Sequence, residues 1–276
     1  MSSLESDLVD MPSTTNRAPR FAGCSALVTG GASGIGAAVV RRLAADGCSR
    51  VVVADINVAS ARELAAEVGV GIAAQVDVTD PASVCALFEQ TIIDVPLDVV
   101  VHSAGVDDPA SKAALQEAQA SGEPLDAFRH ISDATWRRLM SVNLDGTFYV
   151  LRSAVAAMIP NGSGAIVTIS SSAAFDALEG YSPYAASKAG AKILAQSVAK
   201  EAIRHGVRVN TIAPGPVNTP MATRTSTQVQ RALNASGALG YASADEIAET
   251  ICFLASPAAR NLVGAVLLSN GGRFTV

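Results

Sequence analysis

Seven short runs of β-branched and small apolar residues, alternating with longer Ala- and Leu-rich stretches of helical spacing, constrain this chain more than any other feature. The runs are Ser25 to Thr29, Arg50 to Ala54, Gly71 to Val76, Asp98 to His102, Ala165 to Ile169, Val207 to Ile212 and Ala265 to Leu268. Alternation of this kind builds repeated βα units, and a sheet made from them is parallel and covered on both faces. Helices are expected to begin near Gly34, Val58, Pro81, Asp133, Ser182 and Ala244, with start signals at Asp80-Pro81 and Ser243. A chain that is 49% hydrophobic but only 4% aromatic suits this plan, because Val-rich strands then pack under Ala-rich helices. No repeat or Gly/Ser/Pro linker divides the sequence. The expectation is therefore one α/β, doubly wound domain over residues 21–276, preceded by a loose polar extension, Met1 to Arg20.

Charge and cysteine content narrow the partners. The net charge is -5, and no basic cluster exceeds a pair, so neither nucleic acid nor an anionic membrane is an expected partner. No apolar run approaches the roughly 18 residues of a membrane span. The four cysteines, Cys24, Cys48, Cys85 and Cys252, form no ligand cluster; they are read as reduced, mostly buried thiols of a cytoplasmic protein, with no metal site.

The first strand leads directly into Thr29-Gly30-Gly31-Ala32-Ser33-Gly34-Ile35-Gly36, which puts Gly30, Gly34 and Gly36 where a helix starts. Glycines there allow a tight turn and a pyrophosphate at the helix N-terminus, whose free N–H groups attract anions; Ser33 and Ile35 belong to the same cradle. Nineteen residues beyond Gly36, Asp55 ends the second strand, in position to accept hydrogen bonds from an adenosine ribose. A phosphate on that ribose would meet the carboxylate with a repulsion of several kcal/mol at an effective dielectric near 20. NAD is therefore expected rather than NADP.

Ser171 follows the fifth strand, and Tyr184 and Lys188 lie four apart, on one face of the next helix. A tyrosine that acts as a base near neutral pH needs about 3 units of depression, roughly 4 kcal/mol, and one ammonium at 4 to 5 Å supplies about that much. Lys188 alone is thus expected to suffice.

With these motifs in order, the chain resembles the short-chain dehydrogenase/reductase family of the TGxxxGxG and YxxxK type, from about Phe21 to the C-terminus. The resemblance implies a Rossmann-like fold and selects Ser171 and Tyr184 by their spacing of thirteen. It adds Asn143, giving a catalytic set of Asn143, Ser171, Tyr184 and Lys188. In that set Tyr184 exchanges the hydroxyl proton, Ser171 holds the reacting oxygen, Lys188 lowers the phenol pKa and binds the nicotinamide ribose, and Asn143 holds a relay water. It also implies cofactor contacts from Asp77 and Val78, from Ser103, Ala104 and Gly105, and from Pro214, Gly215, Val217 and Thr219.

The implied activity is hydride transfer between NAD and a secondary alcohol or ketone. Ala173, Phe175, Leu178, Tyr181 and Met221 form a largely apolar expected pocket, suited to a hydrophobic cyclic, steroid-like or 3-hydroxyacyl substrate. A 3-oxoacyl-type reductase, which the C-terminal Ser-Asn-Gly-Gly-Arg-Phe-Thr-Val also suggests, and a non-catalytic NAD-binding regulator are the alternatives. A homotetramer, or a homodimer, is implied through helices covering Asn143 to Ile159 and Ser182 to His205.

Two features depart from the family. His102-Ser103-Ala104-Gly105 stands where Asn-Asn-Ala-Gly is usual, and His102 is expected to be structural. Residues Asp107 to Ser132 exceed an ordinary connection by roughly fifteen residues and are expected to hold a short helix near Lys112 to Ala120. The Pro214 to Tyr241 stretch is read as a lid.

Overall fold

The computed structural model describes residues 19–276 except 92, 94, 178 and 223–238, and the backbone but not the side chain of 119. The described chain forms β1 (Ser25–Thr29), α1 (Gly34–Ala45), β2 (Arg50–Asp55), α2 (Val58–Val68), β3 (Gly71–Gln75), α3 (Pro81–Thr91), β4 (Val99–His102) and α4 (Pro109–Ser121). It continues with α5 (Asp133–Met140), a π turn (Ser141–Asp145), α6 (Gly146–Met158), β5 (Gly164–Ile169), α7 (Ala173–Asp176), α8 (Ser182–Ala202) and β6 (Val207–Pro214). Short β7 (Val217–Asn218) and β8 (Ala242–Ser243) precede α9 (Ala244–Ala255) and β9 (Val266–Ser269).

Seven strands form one parallel sheet in the order β3-β2-β1-β4-β5-β6-β9. This is the doubly wound, Rossmann-like architecture, and its order reverses between β1 and β4, where such sheets open a ligand crevice. Successive strand residues serve opposite faces: Ala26 and Val28 join a core with α1, α2 and α9, whereas Leu27 joins a second core with α3, α6 and α8. All five residues of β1 and all four of β4 are buried. That two-sided burial explains why the strands read as continuous apolar runs without polar alternation.

Strand edges follow the expectation to within one or two residues. β6 runs two residues past Ile212 because Ala213 and Pro214 pair with Leu268 and Ser269. The helix expected near Lys112 to Ala120 begins earlier, at Pro109, since the Asp108 side chain caps it by accepting Ala110 N–H at 3.2 Å and proline suits a first helical turn. At the other end of the chain, Ser243 and Glu246 form the reciprocal cap of α9.

Arg20, the last residue of the expected extension, is anchored. Its guanidinium pairs with Asp46 at 2.7 Å and Glu249 at 2.8 Å, and Phe21 beside it is buried. Of the cysteines, Cys48 and Cys252 are buried and Cys24 partly so, but Cys85 is exposed on α3, a correction to the expectation for that thiol. Among the described residues no helix is long and apolar enough to cross a membrane.

Candidate active site

The carboxyl edge of the sheet brings the glycine turn, the β4 end and the β6 end together. Gly30 has φ +64°, and a Cβ there would lie 2.6 Å from the backbone of Ala104. A Cβ at Gly36 would lie 2.1 Å from the Gly30 carbonyl oxygen. Only glycine lets the turn close this tightly. Ser33 precedes α1 in an extended conformation, and its side chain makes no capping hydrogen bond to the helix. A Cβ added at Gly34 would lie 3.4 Å from the Thr219 side chain, and Ser103 N–H bonds the Thr29 carbonyl at 3.0 Å, so the segments after β1, β4 and β6 share one cleft. Gly215 lies close against Asn270, while Val217 is buried through the β7–β8 pair.

Asp55 sits at the β2 end of the same cleft. One of its oxygens accepts Ala32 N–H at 3.0 Å and the other accepts Asn57 N–H at 2.9 Å. These bonds aim the carboxylate at the glycine turn. Asp77 lies two residues beyond β3 and accepts both the N–H and the hydroxyl of Thr79, and Val78 packs on Gly146. A helix N-terminus without a side-chain cap, a glycine cradle with no room for a Cβ at Gly30 or Gly36 and a carboxylate at its flank fit a dinucleotide, which Gly30 to Gly36 and Asp55 would hold.

The second group of residues lies beside Gly105. A Cβ at Gly105 would be 3.0 Å from Lys188 Nζ and 3.2 Å from Asn143 Oδ1, which places lysine and asparagine together. Lys188 is 6% exposed; its ammonium donates to the Ile169 carbonyl at 3.1 Å and lies 6.0 Å from the centre of the Tyr184 ring. Asn143 is fully buried in the π turn. Its Oδ1 accepts Val106 N–H at 2.9 Å, and its amide donates to the Val106 carbonyl at 2.9 Å and to Ser187 Oγ at 3.1 Å. The whole amide is therefore committed to bracing the loop after β4.

Electrostatics correct the expectation for the Tyr184–Lys188 pair. Burial pushes the Tyr184 phenol above its ordinary value; the Ser171 hydroxyl pulls it down and the Asp107 carboxylate raises it further. Lys188 itself is lowered to about 8 by burial. The simple Coulomb estimate assigned no desolvation cost to either group, and here that cost dominates.

Around the expected pocket, Tyr181 meets Tyr184 edge-on with centres 6.5 Å apart, and the Lys192 ammonium stands 4.1 Å over the Phe175 ring. Ala173 is buried and its N–H bonds Ser171 Oγ at 3.2 Å. Leu178 lies outside the described residues, as does 223–238 of the expected lid. The long stretch after β4 closes on this edge: a Cβ added at Gly180 would lie 3.2 Å from Leu125, and Lys112 donates to Asp107 at 2.6 Å and to the Met221 carbonyl at 3.2 Å.

That Asp107–Lys112 pair is nearly buried, at 6% and 13% side-chain exposure, and Asp107 and Asp108 both help to raise the Tyr181 phenol. The edge is thus more polar than Ala173, Phe175, Tyr181 and Met221 alone suggested. Sequence reasoning missed Asp107, Lys112, Ser187 and Thr147; only the unusual length after β4 hinted at the first two.

Comparison with known proteins agrees with this geometry. Residues 25–230 match the family model described as short chain dehydrogenase. A galactitol 2-dehydrogenase (L-tagatose-forming) of Cereibacter sphaeroides is 35% identical, covering 93% of this chain and 97% of that one. A cis-4-hydroxycyclohexanecarboxylate dehydrogenase of Sinomonas cyclohexanicum is 38% identical, covering 93% and 98%. A (3R)-3-hydroxyacyl-CoA dehydrogenase of Mus musculus is 33% identical, covering 92% and 98%. With the sheet order, the glycine turn and the clustered site residues, these matches establish that the chain belongs to the short-chain dehydrogenase family of nicotinamide-dependent oxidoreductases.

Proposed function

We propose that the protein is an NAD-dependent dehydrogenase that oxidises a secondary alcohol to a ketone, with a cyclic or 3-hydroxyacyl alcohol as its substrate class. The observation that carries the reading is the meeting of Lys188 and Asn143 at Gly105, with the Lys188 ammonium 6.0 Å from the centre of the Tyr184 ring, beside a glycine cradle flanked by Asp55. Bound NAD would supply the hydride acceptor at nicotinamide C4. Ser171 holds the alcohol oxygen, and Tyr184, as phenolate, takes its proton while the carbinol carbon gives up hydride. Burial disfavours that phenolate, so its charge would be stabilised by Lys188 together with the positive charge of the oxidised nicotinamide, and Lys188 would hydrogen-bond the ribose. The backbone carbonyl of Asn143, rather than its side-chain amide, which is engaged with Val106 and Ser187, holds the water that carries the released proton toward solvent. The balance is alcohol plus NAD to ketone plus NADH and one proton.

The substrate class rests on the apolar contacts from Ala173, Phe175 and Tyr181 and on the cyclohexanol and 3-hydroxyacyl relatives. The sugar-alcohol relative, together with the Asp107–Lys112 pair, supports a polyhydroxylated secondary alcohol as a second reading. Turnover measured by NADH absorbance with cyclohexanol, cis-4-hydroxycyclohexanecarboxylate, a 3-hydroxyacyl thioester and galactitol separates these classes. Reduction by wild-type protein of a 3-oxoacyl thioester with NADPH alone favours the reductase instead, and NAD binding without any turnover favours a regulator.

We infer a homotetramer or homodimer in the cytoplasm. The outer faces of α6 and α8 carry Phe148 and Ile193 exposed, beside a hollow of about 480 Å³ lined by Leu151, Val155, Leu194 and Val198. A monomeric mass by light scattering overturns the assembly.

A further inference from the structure

His102, the last residue of β4, is 2% exposed and lies between two threonine hydroxyls. Its Nδ1 is 2.7 Å from Thr29 Oγ1 and its Nε2 is 3.1 Å from Thr147 Oγ1. Thr147 Oγ1 in turn donates to the Asn143 backbone carbonyl at 2.7 Å. Burial, aided by the Lys188 ammonium, lowers the imidazole pKa to about 3, so the ring is neutral at working pH.

The direction of every proton follows. The single Thr147 proton is spent on Asn143, so toward His102 this hydroxyl accepts, and Nε2 carries the hydrogen. A neutral ring with hydrogen on Nε2 must accept at Nδ1, and Thr29 is the donor. The result is a one-way chain from β1 through His102 and Thr147 to the Asn143 carbonyl, inside a π turn where the regular helical ladder is interrupted. The chain is buried throughout: Thr29, His102, Thr147 and Asn143 are each at most 3% exposed.

We propose that His102 is a positioning residue for proton release: through Thr147 it fixes the direction of the Asn143 carbonyl, which holds the water that carries the proton from the reacting tyrosine to solvent. This rests on the reading of Asn143 given above. His102 touches neither substrate nor cofactor and exchanges no proton itself; the chain holds the acceptor in place while the proton moves.

The test compares Thr147→Val, which keeps shape and removes the hydroxyl, with Thr147→Ser, which keeps it. Steady-state oxidation is measured with NAD and the alcohol that wild type turns over fastest. Thr147→Val is expected to lower kcat about 10-fold, the scale of one lost hydrogen bond, with KM values within about twofold. Its solvent deuterium isotope effect on kcat should rise, and its kcat–pH profile should move. Thr147→Ser is expected to restore both. Equal kcat, isotope effect and pH profile in the two variants overturn the proposal, whatever happens to their melting temperatures.

For His102 itself, His102→Leu should match Thr147→Val, and the double variant should be no worse than either single one. Should the leucine variant not fold, His102→Gln, which keeps a donor near the Nε2 position, is expected to retain kcat within about threefold of wild type where His102→Asn loses it. Additive losses in the double variant, or equal activity of the glutamine and asparagine variants, contradict the role. Loss of turnover by wild type on every alcohol is a separate result and bears on the function proposed above.

Discussion

The Asp55 carboxylate reaches back to accept the Ala32 backbone N–H at 3.0 Å, fastening the end of β2 to the glycine turn. The residue that would receive the adenosine ribose also shapes the phosphate cradle. Replacing it with alanine should therefore weaken NAD use through both effects. The expected loss in kcat/KM for NAD is about 10- to 100-fold, the range of one or two charge-assisted hydrogen bonds. Use of NADP should improve in the same variant, as the repulsion disappears. Comparing kcat/KM for both cofactors checks this; an unchanged NAD preference contradicts it.

Lys188 illustrates a group that costs stability. Its folded pKa, about 8, lies below its ordinary value of 10.5, so the unfolded chain holds the proton more tightly between those limits. The cost is fully present below pH 8 and disappears as pH rises toward 10.5. Lys188→Met should abolish turnover yet stabilise the fold at pH 7 by about 1 to 2 kcal/mol, after allowing for the lost bond to Ile169. Urea unfolding at pH 7 and pH 10 measures it, and a less stable variant at pH 7 contradicts the account.

The His102 imidazole has the same sign in another window. Its pKa falls from 6.5 to about 3 on folding. Stability is then complete above pH 6.5 and declines as pH drops, because the unfolded chain gains a proton that the buried ring refuses. At pH 5 the loss from this group is about 2 kcal/mol. His102→Gln should remove that share of the acid destabilisation. An identical pH dependence of the urea midpoint in wild type and variant contradicts it.

Gly36 tests the cradle. A Cβ there would fall 2.1 Å from the Gly30 carbonyl oxygen, a contact that backbone must move to relieve. Gly36→Ala should cost about 1 to 3 kcal/mol of stability and displace the α1 N-terminus. Calorimetric binding of NAD should then weaken by at least about tenfold, since the N–H groups that meet the pyrophosphate move with that terminus. Wild-type affinity in this variant contradicts the assignment.

Much of the scaffold was legible because parallel strands buried on both faces leave an unbroken apolar signature. The Val51-Val52-Val53 and Val99-Val100-Val101 runs need no partner to be recognised. The glycine turn and the Tyr184–Lys188 spacing are equally local, so they too could be read from order alone. What escaped depends on distant neighbours. His102 meets Thr29 and Thr147, residues 73 and 45 positions away, and Lys112 meets Met221 across 109 positions. The upward shift of Tyr184 was missed for a related reason: desolvation belongs to the packed environment, whereas the lysine four residues on is visible in sequence.

The central claim is that Tyr184 takes the alcohol proton while hydride passes to NAD. Its most direct test is NADH formation from NAD and a panel of secondary alcohols, by wild type and Tyr184→Phe at equal folded concentration. The account predicts turnover by wild type and a loss of about 100- to 10,000-fold on removing the phenol oxygen. No NADH from wild type with any alcohol, or undiminished NADH from Tyr184→Phe, contradicts it.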